Sequence, residues 1–272
     1  MRTEPEKSCW IDPSRCVHRG GPRWAWSGVF MSYKSVTLRF LDGRLVCSDR
    51  ASSLYLARLV SAVGSGHGLL AWRDCGRQIA LLFGPEGASA GQAARRISIG
   101  AQQVIGGGGH FARARIETVT SDARLQALFD DILLRADSPF FAASSLPDAL
   151  GTRGLAPYLR GSLARCTPHP RLIPVDVRPL SVVADWSCLP ESTGAVFGYP
   201  DLARRFKWRS SALSAASSLA FPEIGPSRLA RILRVSRSTV GRALDRPASR
   251  SLSRMIEAQL RWRSDPVRRA GR

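Results

Sequence analysis

The residues best suited to chemistry form a polar cluster near the C-terminus. The stretch PSRLARILRVSRSTVGRAL spans residues 226–244, and its second half carries hydroxyl and guanidinium side chains at Ser236, Arg237, Ser238, Thr239 and Arg242. Such groups donate hydrogen bonds to phosphate oxygens and to base edges in the major groove. The cluster therefore predicts contacts with duplex DNA.

The spacing around this cluster fits two short helices joined by a tight turn. A helix-starting proline, a small residue where two helices cross, a turn valine, a capping serine and a buried valine stand at Pro226, Ala230, Val235, Ser236 and Val240. Each position has a steric reason in a helix-turn-helix. Arg234 stands where many such turns carry glycine, which costs about 1 kcal/mol or shifts the turn type. The alternative is a pair of amphipathic helices whose arginine-rich face is only solvated.

Charge supports a polyanionic partner. The chain has 40 Lys and Arg against 21 Asp and Glu, a formal charge of +19, and residues 201–272 hold 17 of the basic and 5 of the acidic residues, a net +12. Nucleic acid is the first expected partner and a membrane surface the second. The further basic residues expected to add phosphate contacts, beside Trp262, are Arg250, Arg254, Arg261, Arg263, Arg268 and Arg269.

Apolar runs and cysteine spacing narrow the possible classes of protein. The chain has neither an 18-residue apolar run nor an apolar N-terminal segment, so we expect a bacterial, cytoplasmic, nucleoid-associated protein without a membrane partner. The six cysteines form no CxxC pair. Cys9, Cys16 and His18 lack a second close ligand pair, so a zinc site is not expected.

The elements before the cluster alternate between strand and helix patterns. The strands are expected at 34–40, 68–72, 78–83 and 110–119, and the helices at 53–63, 88–104 and 121–134. This order predicts an α+β protein whose ferredoxin-like βαββαβ domain has an antiparallel sheet with helices on one face. An all-α helix-turn-helix domain follows it.

The expected domains are a flexible arm at 1–30, the sheet domain at 31–150, an irregular extension or linker at 151–200 and the basic DNA-binding domain and tail at 201–272. A strand pattern begins soon after Met31, so translation from that residue is an alternative to the full chain.

Three stretches of the sheet domain resemble a known family. They are SVTLRFLDGRL at 35–45, GLLAWRDCGRQIALLFGPEG at 68–87 and GGHFARARIETVTSDARLQALFDDIL at 108–133. Together they resemble the HUH-type tyrosine transposases specific for single strands, particularly the repeat-associated branch. The resemblance implies a His-hydrophobic-His pair on the third strand that holds a divalent metal, and a helix tyrosine that attacks the scissile phosphate.

The chain departs from that pattern at both places. The histidine positions fall on Gln78 and Ala80, and the helix expected at 121–134 has no tyrosine, with Asp131 among its residues instead. Since metal pair and nucleophile are missing together, we expect no catalysis and no cofactor.

The rival is an active transposase or endonuclease. It would use Tyr158 or Tyr199 as a displaced nucleophile, with Mg²⁺ or Mn²⁺ in a rebuilt site that includes His67 and His110.

The sequence thus predicts a catalytically inactive, transposase-derived DNA-binding protein. Besides the helix-turn-helix, a basic sheet face with Arg77, Gln78, Arg113 and Arg115 is expected to contact a hairpin or single strand. A solvated strand face is the alternative for those residues. A third hypothesis is a transcriptional regulator whose first domain forms a homodimer or senses a ligand.

Overall fold

A computed structural model describes residues 32–41, 45–85, 89–105, 110–134, 142–159, 184–203 and 205–264. They belong to one unit, Ser32–Arg272. The expected arm with Cys9, Cys16 and His18, the tail residues Arg268 and Arg269, and positions 160–183 of the expected linker lie outside the described residues. Within the described ranges, no helix is both long and apolar enough to cross a membrane.

Four strands form an antiparallel sheet, which confirms the α+β class. The strands are β1 (Tyr33–Arg39), β2 (Leu69–Asp74), β3 (Gln78–Phe83) and β4 (Arg115–Val119), in the order β2-β3-β1-β4. The register places Thr37 opposite both Ala80 and Arg115, and Arg39 opposite Gln78. Residues far apart in the sequence therefore share one face.

The first face of the sheet is covered by α1 (Arg50–Gly64) and α2 (Ala90–Ile105). Asp49 caps α1, because its carboxylate accepts a hydrogen bond from the Ser52 N–H at 2.8 Å. Alternation along the strands turns one apolar set toward these helices, namely Val36, Leu38, Phe40, Ile79, Leu81 and Phe83. Both helices lie where the sequence pattern predicted them.

The second face is also partly covered, which differs from the expectation of helices on one face only. It is contacted by α3 (Asp122–Phe129), by the π-helical turn Asp130–Leu134 that continues α3, and by α4 (Leu146–Leu150). The apolar residues in this contact are Tyr33, Leu70, Ala71, Leu82 and Val119 on the sheet, Leu125, Phe129, Ile132 and Leu133 on α3 and the turn, and Leu146 and Leu150 on α4. Because the sheet is apolar on both sides at this end, it needs a second layer there.

The fourth strand is shorter than its sequence pattern. Phe40 and Phe111 form only an isolated bridge, and the Ala112 N–H donates to the Arg39 carbonyl at 2.8 Å, before the regular strand begins at Arg115. Arg113 thus precedes β4 instead of lying in it.

The remaining helices form a second core. They are a 3-10 turn at Trp186–Cys188, α5 (Leu189–Val196), α6 (Arg209–Ala220), α7 (Pro226–Leu233), α8 (Arg237–Leu244) and α9 (Arg250–Ser264). Buried residues of this core include Leu189, Val196, Leu213, Leu229, Val240 and Leu260. Residues 189–196 of the expected linker are therefore helical and packed in this core.

Side chains join the sheet region to the helical core. The buried Gln259 amide on α9 donates to the Thr152 carbonyl at 3.0 Å. Arg58 on α1 donates to the Gly198 carbonyl, and its guanidinium lies 4.3 Å from the centre of the Tyr199 ring. The two cores are thus connected by specific polar contacts as well as by the chain.

Candidate nucleic-acid interface

The turn between α7 and α8 has the geometry expected from its sequence. Pro226 begins α7, and Arg234 ends it in the left-handed conformation with φ 52° and ψ 47°. The Val235 N–H donates a hydrogen bond to the Ala230 carbonyl at 3.0 Å. The Ser236 hydroxyl then accepts the Thr239 N–H at 3.1 Å, which caps α8. Arginine thus occupies the position that favours glycine and adopts the backbone that the turn requires.

Small and branched side chains hold α7 and α8 together. Ala230 is 7% exposed and Val240 is 1% exposed, and both lie in the second core with Leu229, Leu233 and Ala243. Helix α6 packs against α8 as well. One side of α8 is thereby buried, so its position relative to α7 is set by packing.

The other side of α8 presents polar groups. Arg237, Ser238 and Arg242 are exposed, and Thr239 is half-buried. Among the described residues, no carboxylate forms an ion pair with Arg237 or Arg242. The Arg242 Nε group contacts the Ser238 carbonyl at 3.4 Å, which leaves its two terminal nitrogens available. The Ser236 hydroxyl is within 3 Å of both the Ser238 and Thr239 hydroxyls, so its main role is structural.

The C-terminal arginines divide into two groups. Arg250 and Arg254 are exposed. Arg261 instead pairs with Glu257 at 2.7 Å, and Arg263 is 5% exposed and stacks on Trp262. The expectation that Arg263 adds a phosphate contact is therefore wrong, because this position of α9 faces the core.

A polar area lies on the second face of the sheet, beyond the part that α3 covers. We define this sheet polar face by Thr37, Arg39, Arg73, Gln78 and Arg115, which alternation and register place on one side. Ala80 lies among them and packs partly against the α3 core. Gln78 and Arg39 are both exposed.

Two arginines of this face are already engaged. The Arg115 guanidinium is 2.7 Å from the Glu117 carboxylate, with 79% and 41% of the two side chains exposed. The Arg73 guanidinium donates to the Asp131 backbone carbonyl at 3.1 Å. Arg113 is exposed at the same end of the sheet. Arg39 is therefore an exposed cation opposite Gln78. It is not among the residues that the sequence pattern predicted for this face.

Arg77 lies in the turn before β3, where it is exposed. The Phe40 N–H donates to its carbonyl at 2.8 Å, so the pairing of β1 with the β3 segment extends to it. Alternation then assigns Arg77 to the side of Ile79, opposite to Gln78. Sequence proximity to Gln78 therefore does not bring Arg77 onto the sheet polar face.

A buried carboxyl shapes this turn. Asp74 accepts the Gly76 N–H at 2.8 Å, and Gly76 has φ +85°, which favours glycine. Burial raises the pKa of Asp74, and burial together with the neighbouring Asp74 raises the pKa of the Cys47 thiol. The Cys75 N–H in turn donates to the Gln78 carbonyl at 2.8 Å, so backbone and side-chain hydrogen bonds together close the turn before β3.

The acidic residues and histidines considered for a catalytic or metal site are not brought together. Asp131 is exposed in the π-helical turn, and Asp130 accepts the Gln126 amide at 2.8 Å. His67 shares a hydrogen bond with Ser89, and His110 is exposed. In the part of the chain that the structure describes, no three His, Cys, Asp or Glu side chains group as metal ligands.

Both candidate displaced tyrosines take part in packing. The Tyr158 hydroxyl donates to the Ser61 carbonyl at 3.4 Å, and burial raises the pKa of Tyr158. The Tyr199 ring stacks on Phe206 at 4.7 Å. The Tyr158 contact is with α1 and the Tyr199 contact is with the loop before α6, and neither tyrosine belongs to the strands that define the sheet polar face.

The alternating pattern of β1 by itself predicts which side of the sheet Arg39 lies on. It places Arg39 on the polar side of β1, because Leu38 and Phe40 face the core. What it lacked was the pairing of Arg39 with Gln78, which depends on the register between two strands separated by a helix and a strand.

Comparisons of the chain with protein-family models, with curated proteins and with solved structures give no match.

Proposed function

We propose that this protein binds duplex DNA with α8 as its recognition helix. The observation that carries the proposal is the left-handed turn at Arg234 followed by a Ser236-capped helix that exposes Arg237, Ser238 and Arg242. A helix held in this way by the preceding helix can enter the major groove, with its N-terminal residues at base edges.

The chemistry of the exposed side suits that role. Arg237 and Arg242 carry guanidinium donors without carboxylate partners among the described residues, so binding a phosphate or a guanine breaks no ion pair. The net +12 of residues 201–272 adds salt-sensitive attraction to the phosphate backbone. Base-edge contacts would supply specificity and the surrounding charge would supply most of the affinity.

For the sheet region we propose a ferredoxin-like domain of transposase descent that no longer catalyses strand cleavage. The strand order β2-β3-β1-β4 and the succession of elements support this fold. The retained sheet, with Gln78 and Ala80 where the family resemblance implies histidines, supports the loss of catalysis, since an alanine side chain cannot ligate a metal. The sheet polar face would contact a hairpin or single strand.

The duplex proposal is tested by replacing Arg237 and Arg242 together with alanine. The matched control replaces Arg95 and Arg96, two exposed arginines of α2, with alanine. This control removes the same charge from a helix outside the α7–α8 pair. A preferred duplex is first selected from a random pool, and affinity is then measured at fixed salt. We expect each recognition arginine to contribute about 1–3 kcal/mol, with sequence preference lost in the double variant only. Equal losses in both double variants would reject α8 as the recognition helix.

The loss of catalysis is tested with labelled hairpin DNA and Mg²⁺ or Mn²⁺. A denaturing gel should show no covalent adduct, while a native gel shows binding. An adduct that disappears in Tyr158→Phe or Tyr199→Phe would establish the rival enzyme.

A further inference from the structure

The two edges of the sheet differ in how they are protected. At the β2 edge, the chain at 143–145 runs alongside, with the Asp74 N–H donating to the Ala143 carbonyl at 2.8 Å and the Ser145 N–H to the Trp72 carbonyl at 2.9 Å. At the other edge, β4 pairs with β1 on one side only, and no described strand lies on its outer side. Such an edge offers unpaired backbone donors and acceptors to another strand.

The open edge carries a self-complementary sequence. Arg115, Ile116 and Glu117 are consecutive in β4. If a second β4 pairs antiparallel about a two-fold axis through Ile116, Arg115 of each copy lies opposite Glu117 of the other. Opposite charges at directly facing positions stabilise a strand pair, and each contact occurs twice by symmetry.

The neighbouring symmetric registers are unfavourable. An axis through Arg115 places two arginines opposite each other, and an axis through Glu117 places two glutamates opposite each other. Like charges at facing positions destabilise strand pairing. The charge pattern therefore selects the register centred on Ile116.

Apolar surface accompanies this register. Ile116 is 45% exposed, although it lies on the side of the sheet that α2 covers. A Cβ atom on Gly91 of α2 would be 3.6 Å from Ile116 Cδ1, so this helix passes directly beside the strand. Ile99 on α2 is 49% exposed. Pairing at β4 would bring two copies of Ile116 together and bring the two α2 helices near each other.

We propose that β4 is the docking surface for a second copy of this chain, which extends the four-stranded sheet into a continuous eight-stranded sheet. The dimer rests on the edge geometry and the charge pattern alone. One consequence rests on the proposed function: a two-fold axis relates the two α8 helices, so the preferred duplex site should be an inverted repeat.

The test is a charge exchange in the full-length protein. Glu117→Arg puts arginine opposite arginine in a homodimer, and Arg115→Glu puts glutamate opposite glutamate. An equimolar mixture of these two variants restores both opposite-charge pairs, but only in the heterodimer. Sedimentation equilibrium over a range of concentrations measures the association, and a fluorescent label on one variant identifies the mixed species.

We expect the wild type to dimerise, each single variant to associate about tenfold more weakly, and the mixture to form heterodimers with near wild-type affinity. Circular dichroism and thermal unfolding verify that the variants are folded. A wild type that stays monomeric, or a mixture no tighter than the separate variants, overturns the dimer. Binding of an isolated half-site by α8 would survive that result, so failure of the dimer and failure of the DNA proposal are distinguishable.

Discussion

The exposed side of α8 and the sheet polar face both present arginines to solvent, but those arginines are held differently. On α8, Arg237 and Arg242 have no ion-pair partner among the described residues. On the sheet, Arg115 pairs with Glu117 and Arg73 donates to the Asp131 carbonyl. Net charge alone would treat the two surfaces alike. The difference shows that the supply of uncommitted donors, and not the number of arginines, makes α8 the stronger candidate for DNA.

The two surfaces also differ in what builds them. A turn, a cap and a few buried residues within 226–244 position the α8 side chains. The sheet polar face is assembled from β1, β2, β3 and β4, so its geometry depends on long-range register. A substitution in the α7–α8 turn can therefore displace the α8 side chains without altering the sheet. The arrangement of the sheet polar face changes only when the pairing of the strands changes.

The largest expected effect comes from the buried ion pair near the junction of the two regions. Arg153 contacts the Asp148 carboxylate at 2.6 Å and the Ala142 carbonyl at 2.6 Å, and the paired side chains are 2% and 0% exposed. Arg153→Leu leaves the Asp148 carboxylate buried without its cation. We expect a loss of about 3–5 kcal/mol in the free energy of unfolding, measured by urea denaturation.

The control for this variant is Arg261→Leu, which breaks the more exposed pair with Glu257 on α9. That pair should contribute about 0.5 kcal/mol. Fluorescence and circular dichroism transitions should coincide in each protein if the two regions unfold together. Separate transitions would mean that the regions are independently stable and that Arg153 supports only one of them.

A smaller effect is expected at the helix caps. The Ser236 hydroxyl accepts the Thr239 N–H at 3.1 Å, whereas the Ser121 hydroxyl accepts the Arg124 N–H at 3.4 Å at the start of α3. Ser236→Ala should cost about 1 kcal/mol of stability, and Ser121→Ala should cost less, because its hydrogen bond is longer. Thermal unfolding measures both. A larger loss of stability in Ser121→Ala than in Ser236→Ala would mean that the α8 cap contributes less to the free energy of unfolding than its shorter hydrogen bond indicates.

The smallest effect is expected at the sheet polar face. Arg39→Ala removes an exposed cation beside Gln78, and Arg77→Ala removes the same charge one strand away but on the side of Ile79. If Arg39 contacts a phosphate of a single strand, its loss should lower the dependence of log affinity on log salt by about 0.7, with little change for Arg77→Ala. Anisotropy with a labelled hairpin measures both slopes. Equal salt slopes for Arg39→Ala and Arg77→Ala would show that this face attracts DNA only through overall charge. The sheet polar face would then be a solvated strand face and not a binding site.

Local features of the chain could be predicted well. The α7–α8 turn, the Ser236 cap and the burial of Val240 follow from spacing within 19 residues, because capping and turn sterics act between near neighbours. The strands and the helices α1 and α2 follow from the period of apolar residues. The helical packing of 189–196 did not follow, because a short segment rich in small residues has no clear amphipathic period.

By itself, the sequence determined the order of strands and helices, the location of the charge and the absence of histidine from positions 78 and 80. Only the tertiary structure decided which arginines remain available. It paired Arg115 with Glu117, turned Arg263 into the core, set Arg39 beside Gln78 and left β4 without a described strand on its outer side. The physical reason is one of range: propensity and capping depend on neighbours a few residues away, whereas register, burial and ion pairing depend on residues that only folding brings together.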